Sequence, residues 1–189
     1  MSLMKKKLLL SAVFFAILMI VAGVILVQTR FPIRYLDIIE ANAGDFEPAF
    51  ILAVIHAESS FRPHVVSHRG AMGLMQIMED TGEEMARRMG WQDFQTSALF
   101  VPAYNIEIGT FYLNWLRNYL GEDTTLILSG YNAGPGRVRE WLADERFSED
   151  GETLSHIPFQ ETRDYVRRVE RNHRIYVWLL KIYSIVNIF

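Results

Sequence analysis

The chain contains no cysteine, which excludes disulfide bonds, thiolate metal sites and a lipid-modified N-terminal cysteine. It also lacks an excess of basic residues, because 19 lysines and arginines stand against 22 aspartates and glutamates. A protein that binds nucleic acid normally shows such an excess, so we expect no nucleic-acid partner. The five histidines do not have the spacing of metal ligands, and we therefore expect no metal and no cofactor.

Strand-like alternation is also missing after residue 30, where apolar residues recur mostly at helical spacing. The sequence therefore predicts a mainly α-helical domain. Helices are predicted over 32–43, 48–59, 81–90, 102–120, 124–131, 135–144 and from 160 to near the C-terminus. A capping pattern of Thr81 with Glu84 sets the start of the third. The second, PAFILAVIHAES, is apolar on nearly all sides, which predicts a central, buried helix.

One hydrophobic run is long enough to cross a membrane. Three lysines at 5–7 precede the stretch from Leu8 to Val27, which carries no charge and only one hydroxyl, that of Ser11. In a helix about 20 residues rise roughly 30 Å, the thickness of the hydrocarbon layer. Lysines next to a span favour the cytoplasmic side, so we expect everything after Val27 to lie outside the cytoplasm.

A cleaved signal peptide is the alternative interpretation of this run. We favour an uncleaved anchor, because a signal peptide has an apolar core of only about 7–15 residues and a small-x-small cleavage site after it. Here VQTRF follows the run and offers no such site. We therefore expect a basic cytoplasmic stub and a single-pass signal anchor at 1–30, and an extracytoplasmic domain at 31–189.

The C-terminal segment IYVWLLKIYSIVNIF, residues 175–189, is a second apolar stretch. It is shorter than a membrane span and carries Lys181. We expect it to pack into the core of the domain; contact with the membrane surface is the alternative.

Glu58 lies near the C-terminal end of the predicted buried helix. Desolvation raises the pKa of a carboxyl group, and the negative end of the helix dipole disfavours a further negative charge. A carboxyl group that is still protonated near neutral pH can act as a general acid. The residues alone leave an alternative open, in which Glu58 bonds the neighbouring backbone or pairs with Arg62.

The residues that follow Glu58 suit a binding groove. Gly70 and Gly73 would leave the backbone open to a ligand, and the Gln76 amide can bond polar ligand groups. Tyr131, which precedes a Gly-Pro-Gly turn, offers a flat ring and a hydroxyl group. Packing is the simpler explanation for the tyrosine when it is considered alone.

Five motifs occur in one order: HAESSF, GAMGLMQIM, AYNIEIGTFYL, SGYNAGPGRVREWL and IPFQETRDYVRRV. Together they resemble the catalytic domain of soluble-type lytic transglycosylases, in the lysozyme-like superfamily, from about residue 38 to 176. The resemblance implies that Glu58 is the catalytic acid. It implies substrate-binding roles for Ser59, Gly73, Gln76, Met78, Tyr131, Asn132, Glu161 and Tyr165. Glu79 and Gly130 depart from the usual residues of the family, next to the site but not at the acid.

The resemblance also implies a reaction and a substrate. Members of the family cleave the β-1,4 bond between N-acetylmuramic acid and N-acetylglucosamine in peptidoglycan strands, without water, and leave a 1,6-anhydro end. One carboxyl group suffices when the nucleophile is the 6-hydroxyl of the substrate itself. Glu161 is the residue that could be a second catalytic carboxylate; we favour helix capping or pairing with an arginine.

Two other functions remain open at this point. The first is a hydrolytic muramidase on the same fold, and the second is a non-catalytic module that binds the cell wall. The leading hypothesis is a membrane-anchored lytic transglycosylase whose partners are glycan strands and the membrane; the sequence names no protein partner.

Overall fold

The computed structural model describes residues 3–186. In these residues the chain forms eight α-helices, one 3₁₀ helix and no strand longer than an isolated bridge. The helices are α1 (Leu3–Arg30), α2 (Leu36–Asn42), α3 (Pro48–Ser59), α4 (Glu79–Arg88), α5 (Pro102–Leu120), α6 (Thr124–Ala133), α7 (Pro135–Leu142) and α8 (Gln160–Val186), with the 3₁₀ helix at Thr96–Phe100. The mainly helical prediction is confirmed.

Two compact units share this chain, with their boundary between Arg34 and Tyr35. The first unit contains α1, in which the stretch Leu10–Arg30 includes an 18-residue window with a mean hydropathy of 3.0 and no residue buried against protein. This helix has the length and composition that a membrane span requires, as expected from the sequence. Residues 1 and 2 of the predicted stub lie outside the described residues.

The second unit is built around α3, which begins with Pro48 and is buried along nearly its whole length. Proline suits a first helical position, because the amide hydrogen that it lacks would have no partner there. The side chains from Ala49 to Ile55 are all at most 5% exposed, and α3 packs mainly against α8. Each leucine or isoleucine buried in this way stabilises the fold by roughly 1.5–3 kcal/mol.

The remaining helices surround this central pair. Helix α5 packs against α2, α4 and α6, and α6 packs against α7 and α8. Asp123 caps α6, since its carboxylate accepts hydrogen bonds from the amides of Thr125 and Leu126 at 2.6 and 3.2 Å. Through these contacts the C-terminal end of α3, the end of α6 and the start of α8 are held in one core.

Two predicted helix starts are wrong. Helix α2 begins at Leu36 instead of residue 32, because Tyr35 takes a left-handed conformation with φ of 60°. Helix α4 begins at Glu79, so Thr81 lies inside the helix and does not cap it. The acidic side chains of Glu79 and Asp80 occupy the first turn instead, where the helix dipole favours negative charge.

The prediction that the C-terminal segment packs into the core is wrong from Trp178 onward. Tyr176 is fully buried, but Trp178, Ile182, Tyr183 and Ile185 are 58%, 40%, 45% and 60% exposed. The 27 residues of α8 rise about 40 Å, whereas the 12 residues of α3 rise only about 18 Å. Helix α8 is therefore too long for α3 to cover it along its whole length. Residues 187–189 of the predicted segment lie outside the described part of the chain.

Candidate active site

Glu58 is the second-to-last residue of α3 and is partly exposed. The pKa of its carboxyl group is raised from 4.5 to about 7, mainly because burial disfavours the charged form. Tyr165 and Arg168 act in the opposite direction and lower this pKa, but they do not cancel the effect of burial. Near neutral pH the group is therefore protonated in a large share of the molecules.

The backbone turns sharply directly after Glu58. Ser60 and Phe61 both take left-handed conformations, with φ of 51° and 62°. For residues other than glycine such a conformation costs on the order of 1–3 kcal/mol and occurs most often at functional sites. The turn ends the helix one residue after the acid, so that Glu58 lies at an open edge of the core.

Tyr165 of α8 lies beside Glu58 and is 1% exposed. Its hydroxyl group acts as a hydrogen-bond donor toward the Glu58 carboxyl group and has no other partner among the described residues. Burial, together with the nearby Glu58, raises the pKa of this hydroxyl well above its usual value, so it keeps its proton.

Tyr131 of α6 faces the same carboxyl group. Its hydroxyl donates a 2.8 Å hydrogen bond to the carbonyl oxygen of Met75, and its ring lies 5.3 Å from that of Tyr112. Burial first, and then the charge of Glu58, raises the pKa of Tyr131 well above its usual value. Tyr131 therefore joins α6 to the segment that carries Gln76 and leaves part of its ring exposed.

Gln76 takes a left-handed conformation with φ of 51°. Its amide nitrogen donates to the carbonyl oxygens of Val65 and Gly73, at 3.1 and 3.0 Å. The nitrogen of the amide that was expected to bond ligand groups is thus used by the loop itself. The amide oxygen accepts no hydrogen bond from residues 3–186, so it is the ligand-binding atom that Gln76 offers.

The two glycines of this loop differ from the expectation that both leave room for a ligand. A Cβ atom on Gly73 would lie 2.1 Å from the carbonyl oxygen of Leu99 and 2.3 Å from the amide nitrogen of Asn105, so protein atoms fill this space. A Cβ atom on Gly70 would meet nothing within 4 Å. Only Gly70 leaves open space beside its backbone.

Asn105 is a supporting residue that the sequence analysis missed. It is fully buried, accepts a 2.7 Å hydrogen bond from the amide of Met75, and donates to the carbonyl oxygens of Met72 and Leu99 at 3.0 and 2.8 Å. Its polar side chain in the otherwise apolar face of α5 was the available signal. Asn105 fixes the loop that carries Gln76.

Three other predicted site residues have different surroundings. Ser59 is 1% exposed and its hydroxyl donates to the Ile55 carbonyl oxygen, which leaves no surface for a direct glycan contact. The side-chain oxygen of Asn132 accepts a 2.8 Å hydrogen bond from the Thr162 hydroxyl, which joins α6 to α8. Met78 is 43% exposed at the start of α4 and is free to contact a ligand.

Glu161 forms an ion pair with Arg69 at 3.2 Å, and both side chains are about two-thirds exposed. This agrees with the pairing interpretation of Glu161. Arg168, which lies 5.6 Å from the centre of the Tyr165 ring and acts on Glu58, was not predicted. Its position one helical turn after Tyr165 was the signal. Among residues 3–186, no three histidine, aspartate or glutamate side chains form a group that could hold a metal ion.

A helical core with one near-neutral acid at the end of its central helix defines a domain of the lysozyme-like type. Comparison with known proteins gives the family. Residues 37–154 match the family described as the transglycosylase SLT domain, which is more than half of the chain. The chain belongs to this family.

Relatives in the family include soluble and membrane-bound proteins. The soluble lytic murein transglycosylase of Salmonella typhimurium is 36% identical over 146 residues, which cover 75% of this chain and 23% of that protein. The membrane-bound lytic murein transglycosylase C of Cronobacter sakazakii is 33% identical over 151 residues, covering 69% of this chain and 42% of the relative. The chain thus spans less than half of the length of either relative.

Solved structures agree with the fold. The 70 kDa soluble lytic transglycosylase of Escherichia coli superposes with a TM-score of 0.73 at 33% identity, over 82% of this chain and 26% of that chain. A lytic transglycosylase from Pseudomonas aeruginosa, described as an inactive glutamate-to-glutamine mutant, gives a TM-score of 0.72 at 36% identity, over 82% of this chain and 26% of that one. The predicted resemblance is confirmed.

Proposed function

We propose that residues 31–189 form the catalytic domain of a lytic transglycosylase that cleaves the β-1,4 bond between N-acetylmuramic acid and N-acetylglucosamine in peptidoglycan. The observation that carries the proposal is the carboxyl group of Glu58, whose pKa of about 7 lets it hold a proton at the open end of α3. The family and the names of the relatives support the same reaction.

In the proposed reaction, Glu58 gives its proton to the glycosidic oxygen as the bond from that oxygen to the muramyl C1 breaks. The N-acetylglucosamine end leaves as an alcohol, and positive charge develops at C1. The muramyl 6-hydroxyl then attacks C1 and loses its proton to the Glu58 carboxylate. The products are the two glycan pieces, one of them with a 1,6-anhydro end, and Glu58 is protonated again.

The surroundings of Glu58 favour this route over hydrolysis. A hydrolytic enzyme normally uses a second carboxyl group about 5–5.5 Å or about 6.5–9.5 Å from the first. The side chains placed beside Glu58 above are Tyr131, Tyr165 and Arg168, and none of them is a carboxylate. Glu161, the candidate for a second carboxylate, is paired with Arg69 in solvent.

We assign direct substrate contacts to the side chains that present free surface or unpaired polar atoms. These are the Gln76 amide oxygen, Met78, the ring of Tyr131 and Glu161; Tyr165 is buried and acts through the Glu58 carboxyl group. Ser59, Gly73 and Asn132 act indirectly, because each is held in packing or in hydrogen bonds that shape the groove.

We further propose that α1 is an uncleaved, single-pass anchor and that the catalytic domain lies on the extracytoplasmic side. The apolar stretch Leu10–Arg30, the lysines at 5–7 and the membrane-bound relatives support this arrangement. Peptidoglycan lies on that side of the membrane, so the anchor would hold the acid close to its substrate.

Product analysis tests the function. Purified glycan strands are digested with the wild-type protein, Glu58→Gln and Glu161→Gln, and the products are analysed by mass spectrometry. We expect 1,6-anhydro-muramyl ends from the wild type and from Glu161→Gln, and none from Glu58→Gln. Reducing muramic ends would support a muramidase instead, and binding without any product would support a wall-binding module.

A further inference from the structure

We propose that the last described part of α8, residues 178–185, docks on the surface of the membrane that holds α1. The proposal depends on the membrane anchoring proposed above and not on glycan cleavage. The partner is a lipid surface, and the docked element is a helix that lies in the headgroup region.

The first observation is an exposed apolar surface. Trp178, Ile182 and Ile185 follow one another at helical spacing of four and three residues, which places them on the same side of α8. They are 58%, 40% and 60% exposed, and the adjacent Tyr183 is 45% exposed. A contiguous patch of large apolar side chains on a protein surface indicates a site of contact with a membrane or another protein.

The composition of this patch suits a lipid surface. Tryptophan and tyrosine are enriched where a protein meets the membrane surface, because an apolar ring and a polar atom suit that boundary. Lys181, also exposed, has a long side chain that can lie along the patch while its ammonium group reaches the headgroups.

The second observation is charge. No acidic residue follows Glu170 in the sequence, whereas Arg171, Arg174 and Lys181 are all exposed on this part of α8. The chain as a whole has a formal charge of −3, so this basic end differs from the average of the molecule. A basic helix end with an apolar side is attracted to anionic headgroups and can then insert its apolar side chains.

The third observation is the short connection to the membrane helix. Only residues 31–34 separate the last residue of α1 from the start of the second unit at Tyr35. Five peptide steps reach at most about 18 Å when fully extended. The tether therefore keeps the second unit near the bilayer, so that even a weak surface contact forms at high effective concentration.

Tryptophan fluorescence tests the docking in the full chain. The protein is reconstituted in vesicles of phosphatidylethanolamine and phosphatidylglycerol, with or without bromine on the acyl chains to quench nearby tryptophans. All four tryptophans, at 91, 115, 141 and 178, lie in the second unit, so the membrane helix contributes no emission. The emission lost in Trp178→Phe gives the share of Trp178.

We expect brominated lipid to remove most of the Trp178 emission. Trp91→Phe is the matched control, because this residue lies outside α8 and its share of the emission should change little. In the variant carrying Ile182→Asp and Ile185→Asp, Trp178 should become insensitive to bromine. These two substitutions lie on exposed positions outside the glycan site, so glycan cleavage should continue at the wild-type rate.

Equal Trp178 emission in both kinds of vesicle would overturn the proposal. So would quenching that appears only at a high protein-to-lipid ratio, since it would indicate pairing between copies of α8. Glycan products are measured separately, so that a chain that docks without cleaving, or cleaves without docking, contradicts only one of the two proposals.

Discussion

At the scale of single residues, two opposing effects set the pKa of the Glu58 carboxyl group. Burial favours the protonated form, and Tyr165 and Arg168 favour the charged form. Burial dominates, and the resulting pKa of about 7 is the value that one group needs in order to give a proton and later take one back. Because burial disfavours the charged form, the ionised carboxylate of Glu58 destabilises the fold at high pH.

The Glu58→Gln variant should show this cost as a pH-dependent difference in stability. The pKa is 4.5 in the ordinary state and about 7 in the fold, so between these values the folded protein binds more protons than the unfolded chain. The contribution of Glu58 to the free energy of unfolding of the wild type therefore falls as the pH rises from 4.5 to about 7.

Glutamine does not titrate, so the Glu58→Gln variant does not lose stability in this way as the pH rises. We expect the stability of Glu58→Gln relative to the wild type to be greater at about pH 8 than at about pH 4, by up to about 3 kcal/mol. Urea denaturation of both proteins at the two pH values measures the difference. A gap that does not change with pH would mean that the carboxyl group is not desolvated.

The hydroxyl of Tyr165 gives a second prediction. It lowers the pKa of Glu58 as a hydrogen-bond donor and has no other partner among the described residues. In Tyr165→Phe, we expect the pH above which cleavage declines to move upward and the turnover number to fall, with no loss of stability. The pH profile of kcat and a denaturation curve check both parts.

Tyr131→Phe is the matched comparison for this prediction. Its hydroxyl donates to the Met75 carbonyl oxygen, so its removal should cost about 1 kcal/mol of stability. If Tyr165→Phe were destabilised to the same degree, its hydroxyl would have a structural partner other than Glu58.

At the scale of helices and loops, the sequence predicted elements whose ends carry strong local signals. Helices α3 and α5 both begin with a proline, and α5 ends before Gly121; both have the predicted bounds. The start of α2 was missed because Tyr35, a bulky residue, takes a conformation usually reserved for glycine. Sequence periodicity contains no information on such a turn.

The residues of the candidate site also fall into those that the sequence predicted and those that it missed. Glu58, Tyr131 and Tyr165 could be found because the motifs carry them, and the structure brings all three together. Asn105 and Arg168 were missed, because their roles depend on which loop or ring they meet in three dimensions. Local pattern predicts the groups that do chemistry better than the groups that hold them in place.

The loop glycines provide a test of what holds the groove. Gly73 has φ of +77° and no room for a Cβ atom beside the Leu99 carbonyl oxygen, whereas Gly70 has φ of +87° and open space. We expect Gly70→Ala to cost about 1–2 kcal/mol from the backbone conformation alone. Gly73→Ala should cost clearly more, since the carbonyl oxygen of a neighbouring segment must move as well.

Urea midpoints of the two variants measure this difference in stability. Their rates of glycan cleavage show whether the groove is disturbed as well. Because Gly73 also accepts the hydrogen bond from the Gln76 amide, its variant should lose activity together with stability. Equal midpoints for both alanine variants would mean that the loop adjusts without strain and that Asn105 does not fix it.

At the scale of the whole molecule, one unit has the length and composition that a bilayer requires, and the other carries the proposed glycan site. The helix that could span the membrane has no residue buried against protein, whereas α3 is almost wholly enclosed by its own domain. The two apolar helices therefore have different surroundings in the structure, and hydrophobicity alone would not have distinguished them. Length and position in the chain do.

The sidedness of the membrane can be tested with cysteine labelling, because the chain contains no native cysteine. Glu149→Cys places one thiol in the exposed loop after α7, and Lys7→Cys places one before the apolar stretch of α1. We expect a membrane-impermeant maleimide to label the first variant in intact spheroplasts and the second only after the membrane is permeabilised. The reverse pattern would put Glu58 in the cytoplasm, away from peptidoglycan, and the proposed function would then fail even if the purified protein cleaved glycan strands.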